Sequence, residues 1–330
     1  MKPFIIGVDL GGTNIKAAVL NSMLEPICER KVPTGAAQGS QHVLSNIRDV
    51  VEDMLTAERI SSDAVLGMGL GIPGLLDPVE GISIFSPNFP EWEHVPVVEE
   101  MNRVFAFPSY IDNDVRVHMY GEWLHGAGIG CQNLLLITLG TGLGSAVVAN
   151  GRMVYGATAS AGEIGHMNMY RIGRPCRCGS TGCLGRYVSA VGMVHTLTEK
   201  LEQGRQSVIS DWVHGWKADI TAEMISQAYD LGDPLAVEVM HETGELLGYG
   251  LANAINLLNP ERILIGGGMA AAGERLLHSV RTAINEHALA LPCQACQVLT
   301  AQWGNQAGVK GAAAYAKARV EGLHIELGIM

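Results

Sequence analysis

Two glycine-rich turns, each set between short apolar runs, constrain this chain more than any other sequence feature. Asp9-Leu10-Gly11-Gly12-Thr13-Asn14 follows the run that begins at Phe4 and precedes a second run that ends at Leu20. Thr138-Leu139-Gly140-Thr141-Gly142-Leu143-Gly144 again joins two such runs. Short apolar segments rich in Ile, Val and Leu and bounded by glycine are typical of β-strands. Each turn is therefore predicted to connect two strands.

Glycines in such turns let backbone N–H groups approach a phosphate. A carboxylate next to a phosphate is unfavourable unless Mg²⁺ lies between them. The first turn therefore predicts that Asp9 lies beside a bound Mg²⁺. An ordinary hairpin turn explains the first motif equally well, but its repetition favours phosphate binding. The candidate residues of the two turns are Asp9, Gly11, Gly12, Thr13, Asn14, Lys16, Gly140, Thr141, Gly142 and Gly144.

Two common nucleotide motifs are excluded. The chain lacks the Gly-x-x-x-x-Gly-Lys-Ser/Thr pattern of a P-loop, and the second turn leads into a strand where a dinucleotide fingerprint needs a helix. A third glycine run, Gly266, Gly267 and Gly268, follows a predicted strand at 261–266. Its bare backbone could lie against an adenine or a ribose, or it could simply begin a helix.

The remaining pattern is α/β. Amphipathic stretches that predict helices alternate with the strand-like runs, and 330 residues exceed the usual size of a single hydrophobic core. We expect a small domain at 1–115, rejoined by a C-terminal helix within 305–330, and a large domain at 116–304. Helices are predicted near 41–58, 115–126, 187–203, 235–258, 272–288 and 305–319, and 204–220 is predicted to be a loop or short helices.

Composition narrows the class of function. The net charge of −11 opposes binding to nucleic acid or to anionic membrane surfaces, so a small-molecule ligand is favoured. The N-terminal residues show no secretory pattern, and glycine and threonine interrupt the most apolar stretch, 134–149. These features predict a cytoplasmic chain.

Asp114 is the candidate catalytic base. It closes Ile111-Asp112-Asn113-Asp114, which follows a strand-like run and precedes a predicted helix. A weakly acidic hydroxyl needs a positioned carboxylate to take its proton, an effect of about 10²- to 10⁴-fold. Asp and Asn are also favoured helix caps, and capping is the alternative interpretation.

These motifs together resemble the ROK family of bacterial sugar kinases and repressors, within the actin-like, hexokinase-type ATPase superfamily, and the likeness spans nearly the whole chain. The resemblance implies a two-domain actin-like ATPase (ribonuclease H-like) fold with an interdomain active-site cleft. It implies that the two turns hold ATP phosphates with Mg²⁺, and that the third glycine run lies against the adenosine. It also implies a homodimer and a set of sugar contacts: Asn88, Asn113, Asp114, Glu163 and His166.

The resemblance further implies a structural zinc site. His166, Cys176, Cys178 and Cys183 supply one imidazole and three thiolates, the soft ligands of a closed tetrahedral site. Free cysteines in a turn are the alternative. The pair Cys293 and Cys296 is interpreted as buried thiols, since no further Cys or His lies close to it in the sequence.

One position departs from the family pattern. The family usually continues Gly-Cys-Leu-Glu, and that Glu contacts the sugar near its anomeric carbon, whereas this chain reads Gly182-Cys183-Leu184-Gly185-Arg186. The resemblance as a whole still predicts an ATP-dependent hexose kinase, and the first expectation is that it converts glucose to glucose 6-phosphate. Fructose, mannose, allose or an N-acetyl-hexosamine stay open as substrates.

Two other functions are considered. A sugar-responsive ROK-type regulator would need a DNA-binding domain, and the first turn begins at Asp9, which leaves no room before it for a helix-turn-helix. A sugar-binding protein that has lost its activity is suggested only by Gly185, and the presence of Asp9 and Asp114 argues against it.

Overall fold

A computed structural model describes residues 2–86 and 89–322. The strands are β1 Phe4–Leu10, β2 Asn14–Asn21, β3 Pro26–Pro33, β4 Val65–Ile72, β5 Leu75–Asp77, β6 Ile82–Phe85, β7 Glu93–Val95, β8 Ser109–Asn113, β9 Leu134–Leu139, β10 Leu143–Ala149, β11 Arg152–Met153, β12 Arg262–Gly266 and β13 Gln297–Thr300. The α-helices are α1 Ser40–Ala57, α2 Val97–Asn102, α3 Asp114–His125, α4 Gly185–Val188, α5 Ala190–Glu202, α6 Ile209–Trp212, α7 Ala222–Asp230, α8 Pro234–Leu258, α9 Glu274–His287, α10 Ala290–Ala295 and α11 Ala307–Val320.

The chain divides into two compact units. The first unit comprises 1–131, 146–161 and 301–330, and the second comprises 132–145 and 162–300. Both units combine sheets with helices, as the alternating sequence pattern predicts.

The first unit has a five-stranded sheet of order β3-β2-β1-β4-β8 and a three-stranded sheet of order β5-β6-β7. β1 is antiparallel to β2 and parallel to β4, and β4 is parallel to β8. Because parallel strands end at the same edge of a sheet, the ends of β1 and β8 bring Asp9 and Asp114 to one edge.

Helices cover both faces of this sheet. Ile6 and Val8 of β1 point to the face that packs against α1, whose buried residues recur at helical spacing: Val43, Leu44, Ile47, Val50, Val51 and Met54. Ile5, on the opposite face, packs with Val309 and Ala313 of α11. A Cβ at Gly69 of β4 would lie 1.9 Å from the carbonyl oxygen of Ala312, so the small residues of α11 and the sheet glycines allow backbone-close packing.

The second five-stranded sheet has the order β11-β10-β9-β12-β13. β12 is parallel to β9, and their register pairs Gly266 with Thr138. The glycine turn after β9 and the glycine run after β12 are therefore aligned at one edge of this sheet. Within the second unit α8 packs against α9, where a Cβ on Gly248 would lie 2.6 Å from the Cβ of Ala283.

The structure confirms most predicted elements and corrects two. The predicted helix at 187–203 is two helices, α4 and α5, because the hydroxyl of Ser189 accepts a hydrogen bond from the backbone N–H of Gly192 at 3.1 Å and caps a new helix. The second correction concerns the segment around α10, where Cys293 and Cys296, interpreted as buried thiols, are only partly buried. Short helices occupy 204–220 as expected. The short strands β5 to β7 and the helices α2 and α7 were not predicted from the sequence.

Among the described residues, no helix combines the length and the apolar character needed to cross a bilayer.

Candidate active site

Two carboxyl groups lie together in the first unit. Asp9 is near the end of β1 and Asp114 is the first residue of α3. Both residues keep part of their surface accessible, but protein atoms surround the carboxyl groups, and this burial raises the pKa of each. For Asp114 burial and then the negative charge of Asp9 raise the pKa to about 6. Lys16, paired with Asp9 across β1 and β2, lowers the pKa of Asp9 and so opposes the effect of burial there.

The neighbouring Asn113 caps the helix. Its side-chain oxygen accepts a hydrogen bond from the backbone N–H of Val115 at 3.0 Å, and its amide nitrogen donates to the carbonyl oxygen of Gly74 at 3.2 Å. The sequence left open whether this segment caps a helix, and the structure shows that Asn113 is the residue that caps α3. Asp114 also accepts from the N–H of Val115, at 3.1 Å, which lowers its pKa and only partly offsets burial.

A buried polar network that the sequence analysis missed lies directly behind this pair. The carboxylate of Asp112 accepts hydrogen bonds from Arg116 Nε at 2.6 Å, from the hydroxyl of Tyr155 at 2.6 Å and from the backbone N–H of Asn113 at 2.7 Å. Arg116 also donates to the carbonyl oxygen of Ala159 at 2.9 Å. The network fixes the backbone that carries Asn113, and an Asp–Arg pair at i,i+4 is the sequence signal that could have revealed it.

The first glycine turn is a hairpin turn, as predicted. Gly11 N–H donates to the carbonyl oxygen of Asn14 at 3.0 Å, and the hydroxyl of Thr34 donates to the carbonyl oxygen of Gly11 at 2.6 Å. Gly12 and Thr13 form the exposed tip. The backbone N–H of Thr34 also donates to the carbonyl oxygen of Thr13 at 2.9 Å, so the turn has a fixed backbone and an exposed tip.

A cavity of about 610 Å³ lies in the second unit. Gly140 and Thr141 of the second turn line it together with Gly268 of the third glycine run, so three candidate residues meet in one cavity. Gly142, Gly144, Gly266 and Gly267 do not line it. The sequence analysis missed the other walls, which come mainly from α5, α7, α9 and the segment before α9: Ala190, Met193, Ala222, Glu223, Ser226, Gln227, Asp230, Met240, Met269, Ala271, Ala272 and Arg275.

Gly267 fixes the glycine run beside β9. Its φ of 83° lies in the region that L side chains rarely adopt, and an added Cβ would lie 2.4 Å from the carbonyl oxygen of Leu139. Gly268, by contrast, faces open space. One glycine is therefore required by backbone geometry, and the next keeps the cavity wall bare.

The four predicted metal ligands are brought together. The ligand atoms of His166, Cys176, Cys178 and Cys183 all lie within 4.8 Å of one another. The Sγ atoms of Cys178 and Cys183 are 3.7 Å apart, as are Sγ of Cys176 and Nδ1 of His166. Zinc–sulfur bonds of about 2.3 Å in a tetrahedron separate the sulfur atoms by about 3.8 Å, so the spacing and the donor set fit zinc.

The pKa values of the thiols fit the same interpretation. The backbone N–H of Ser180 lowers the pKa of Cys178 to about 7, whereas burial raises the pKa of Cys183 to about 12. A bound dication would favour the thiolate form that burial of Cys183 disfavours.

Glu163 directly precedes a short 3₁₀ helix, Ile164–His166. The hydroxyl of Ser145 donates to the carbonyl oxygen of Gly162 and accepts from the backbone N–H of Ile164 at 3.2 Å, and the N–H of His166 donates to the carbonyl oxygen of Glu163 at 3.0 Å. Asn88, the remaining predicted sugar contact, lies outside the described residues.

Comparisons with known proteins agree with these features. The ROK family profile matches residues 5–319. The chain is 36% identical over 309 residues to a glucokinase of Halalkalibacterium halodurans, covering 93% of this chain and 92% of that protein. It is 29% identical to a xylose repressor of Caldicellulosiruptor bescii, over 86% of this chain and 70% of the repressor. Among solved structures, a ROK family glucokinase from Streptomyces griseus in complex with glucose and AMPPNP superposes with a TM-score of 0.81 at 30% identity, covering 95% of this chain and 99% of that one.

The two α/β units thus have the actin-like ATPase fold, which the sequence predicted. Within this class, the chain belongs to the ROK family.

Proposed function

We propose that this chain is an ATP-dependent hexose kinase that phosphorylates glucose to glucose 6-phosphate, with Asp114 as the general base. The main support for this proposal is that the carboxyl group of Asp114 lies near Asp9 and has its pKa raised to about 6. A base is most effective when its pKa lies near the working pH, because it is then ionised and still binds a proton strongly enough to remove one. Relatives named as glucokinases support glucose as the first substrate.

The cavity of the second unit is proposed to hold the adenosine part of ATP. Thr141 would offer its backbone N–H and its hydroxyl as donors. Gly140 and Gly268 would form bare walls, and Met193 and Met240 would make apolar contacts. The AMPPNP in the Streptomyces griseus glucokinase supports this choice of nucleotide.

Asp9 is proposed to hold Mg²⁺, directly or through water. The structural reason is that Asp9 and Asp114 disfavour each other's ionised form, which a dication between Asp9 and the phosphates would relieve. Bound Mg²⁺ supplies charge neutralisation at the transferred phosphoryl group. The exposed tip of the first turn, at Gly12 and Thr13, would bind phosphate oxygens.

The four-ligand cluster is proposed to hold a structural zinc ion. With four protein ligands a tetrahedral ion has no open position, so its role is to fix the loop and the ring of His166. Glu163, His166 and Asn113 are the proposed sugar contacts, with Asn88 as a fourth. Since Gly185 has no carboxylate to offer near the anomeric carbon, a substrate panel must extend beyond glucose. We further propose a cytoplasmic homodimer.

A coupled ADP-release assay tests the proposal. ATP is supplied with glucose, fructose, mannose, allose or an N-acetyl-hexosamine, and the wild-type chain is compared with Asp114→Asn and with Asp53→Asn. Asp53 is an exposed carboxylate of the same unit that pairs with Arg30, so it is the matched control. We expect turnover with glucose, a fall in kcat of about 10²- to 10⁴-fold in Asp114→Asn and no change in Asp53→Asn. Lack of ADP release with every sugar would refute the kinase assignment, and unchanged turnover in Asp114→Asn would refute the assigned base.

A further inference from the structure

We infer that Arg174 is a positioning residue that docks the cysteine loop, residues 166–183, onto α5. The guanidinium group has five N–H donors, and all of them are used. Nε and Nη2 donate to the two carboxylate oxygens of Glu199, at 3.0 and 2.6 Å. Nη1 donates to the carbonyl oxygens of Arg186 and Gly192, each at 3.0 Å. Nη2 also donates to the hydroxyl of Thr196 at 3.0 Å.

The acceptors form one surface. Gly192, Thr196 and Glu199 are spaced by four and three residues, so they lie along one face of α5, and Arg186 lies in α4 just before it. A planar guanidinium can reach two carbonyls, a hydroxyl and a carboxylate at once, whereas an ammonium has three donors at a single point. The site is therefore built for arginine.

Tyr187 makes two further contacts with Arg174, and these contacts together with the five hydrogen bonds of the guanidinium group are called the anchor. Its hydroxyl accepts a hydrogen bond from the backbone N–H of Arg174 at 2.7 Å, and its ring lies 4.6 Å from the guanidinium carbon. A Cβ on the preceding residue, Gly173, would lie 2.4 Å from the same hydroxyl oxygen. The glycine thus makes room for the contact that fixes the next residue.

The anchor reaches both ends of the proposed metal site. Arg174 is two residues before Cys176, and its carbonyl oxygen accepts from the N–H of Gly182 at 2.9 Å, one residue before Cys183. The side chain of Arg174 is 12% exposed, but that of Glu199 is 52% exposed, so solvent screens the ion pair and the fixed geometry matters more than the charge. These protein contacts support the loop in the shape that brings the four ligands together.

Two consequences follow. A loop ordered before metal arrives binds it more tightly, since less freedom is lost on binding. The second consequence rests on the proposed function: because His166 would serve both zinc and sugar, loosening the loop raises the KM for sugar and leaves the KM for ATP alone.

The test compares Arg174→Met and Arg174→Lys with Arg205→Met. Arg205 donates hydrogen bonds to Glu238 in the same unit, and within the described part of the chain it has none to the cysteine loop, which makes it a matched control. Zinc release from the loaded protein to an excess of a chromophoric chelator is followed, and sugar KM, ATP KM and kcat are measured. We expect zinc release to accelerate about 10- to 100-fold in both Arg174 variants, with Lys restoring little, and only sugar KM to rise.

Zinc release at the wild-type rate in Arg174→Met, or full restoration by Lys, would overturn the inference, as would a wild-type chain that binds no zinc. Should Arg174→Met fail to fold, Glu199→Ala removes the exposed side chain that accepts from Nε and Nη2, and it should release zinc faster than the control. Zinc release needs no catalysis. If zinc release from the Arg174 variants accelerates as expected but the wild-type chain phosphorylates no sugar, the role of Arg174 is supported and the proposed kinase activity is refuted.

Discussion

At the residue scale, the proposed chemical role of Asp114 comes with a cost in stability. Burial and the charge of Asp9 raise its pKa from 3.8 to about 6, so the folded chain binds this proton more tightly than the unfolded chain does. A group of this kind favours the folded state fully below pH 3.8 and loses that contribution as the pH rises through 6. At neutral pH the ionised carboxylate therefore destabilises the fold.

Asp114→Asn is accordingly expected to be more stable than the wild-type chain at pH 7. A rise of about two pKa units at about 1.4 kcal/mol per unit sets an upper bound of about 3 kcal/mol. Urea unfolding without ligands, measured between pH 5 and 8, should show the gain growing from pH 5 to 7 and then levelling. Asp53→Asn should show no such trend, and a gain for Asp114→Asn that is constant across this range would contradict the pKa assignment.

At the residue scale, the sequence could predict only those site residues whose partners or motifs lie close by in the chain. Cys176, Cys178 and Cys183 lie within eight residues of one another, and Asp114 follows a strand, so their patterns are visible in one window. Arg174 and Arg275 carry no such pattern. Their partners, Glu199 for one and Asp230 for the other, are 25 and 45 residues away, and only the packing of helices brings them together.

At the scale of elements, strand register decides which glycines meet a ligand. β9 and β12 are parallel and in register from Leu134 to Thr138, so the segments that follow them emerge side by side. In the second of these segments Gly267 is confined by the carbonyl of Leu139, while Gly268 faces the cavity without a close neighbour. Two adjacent glycines therefore have different functions.

Alanine at each position separates these functions. Gly267→Ala forces a Cβ against a carbonyl at positive φ and is expected to lower the free energy of unfolding by about 1–3 kcal/mol. Gly268→Ala should leave stability nearly unchanged and raise the KM for ATP, because its methyl group enters the proposed adenosine cavity. Urea unfolding and the coupled assay measure both quantities. The assignment is wrong if the two variants lose stability equally or if Gly268→Ala binds ATP normally.

The sequence predicted elements where period and turn chemistry agreed, as in the β1–β2 hairpin around Gly11. It failed where a single polar residue decides a boundary, as at Ser189, whose capping hydroxyl divides the predicted helix at 187–203. It also missed the cavity wall from α7 and α9, because amphipathic helices bear the same pattern whether they cover a core or line a pocket.

At the scale of the whole molecule, the net charge of −11 opposes the approach of any polyanion. ATP binding would therefore depend on local groups, and the turn amides, Lys16 and Mg²⁺ are the groups proposed for it. DNA, with its continuous row of phosphates, would be repelled by this net charge. The overall charge thus favours the kinase interpretation over a regulator that acts through DNA.

Ligand-linked thermal stability provides the global test of that choice. A ligand that binds only the folded chain stabilises it by about 2.7 kcal/mol at a concentration of 100 times Kd. A hexose kinase should therefore gain several degrees in Tm from glucose and from MgAMPPNP separately, since it must bind both. A sugar-responsive regulator should respond to the sugar alone. Asp114→Asn should keep the nucleotide response while losing turnover, because the proposed adenosine cavity lies in the other unit, and a missing response of the wild-type chain to MgAMPPNP would exclude ATP as the phosphoryl donor.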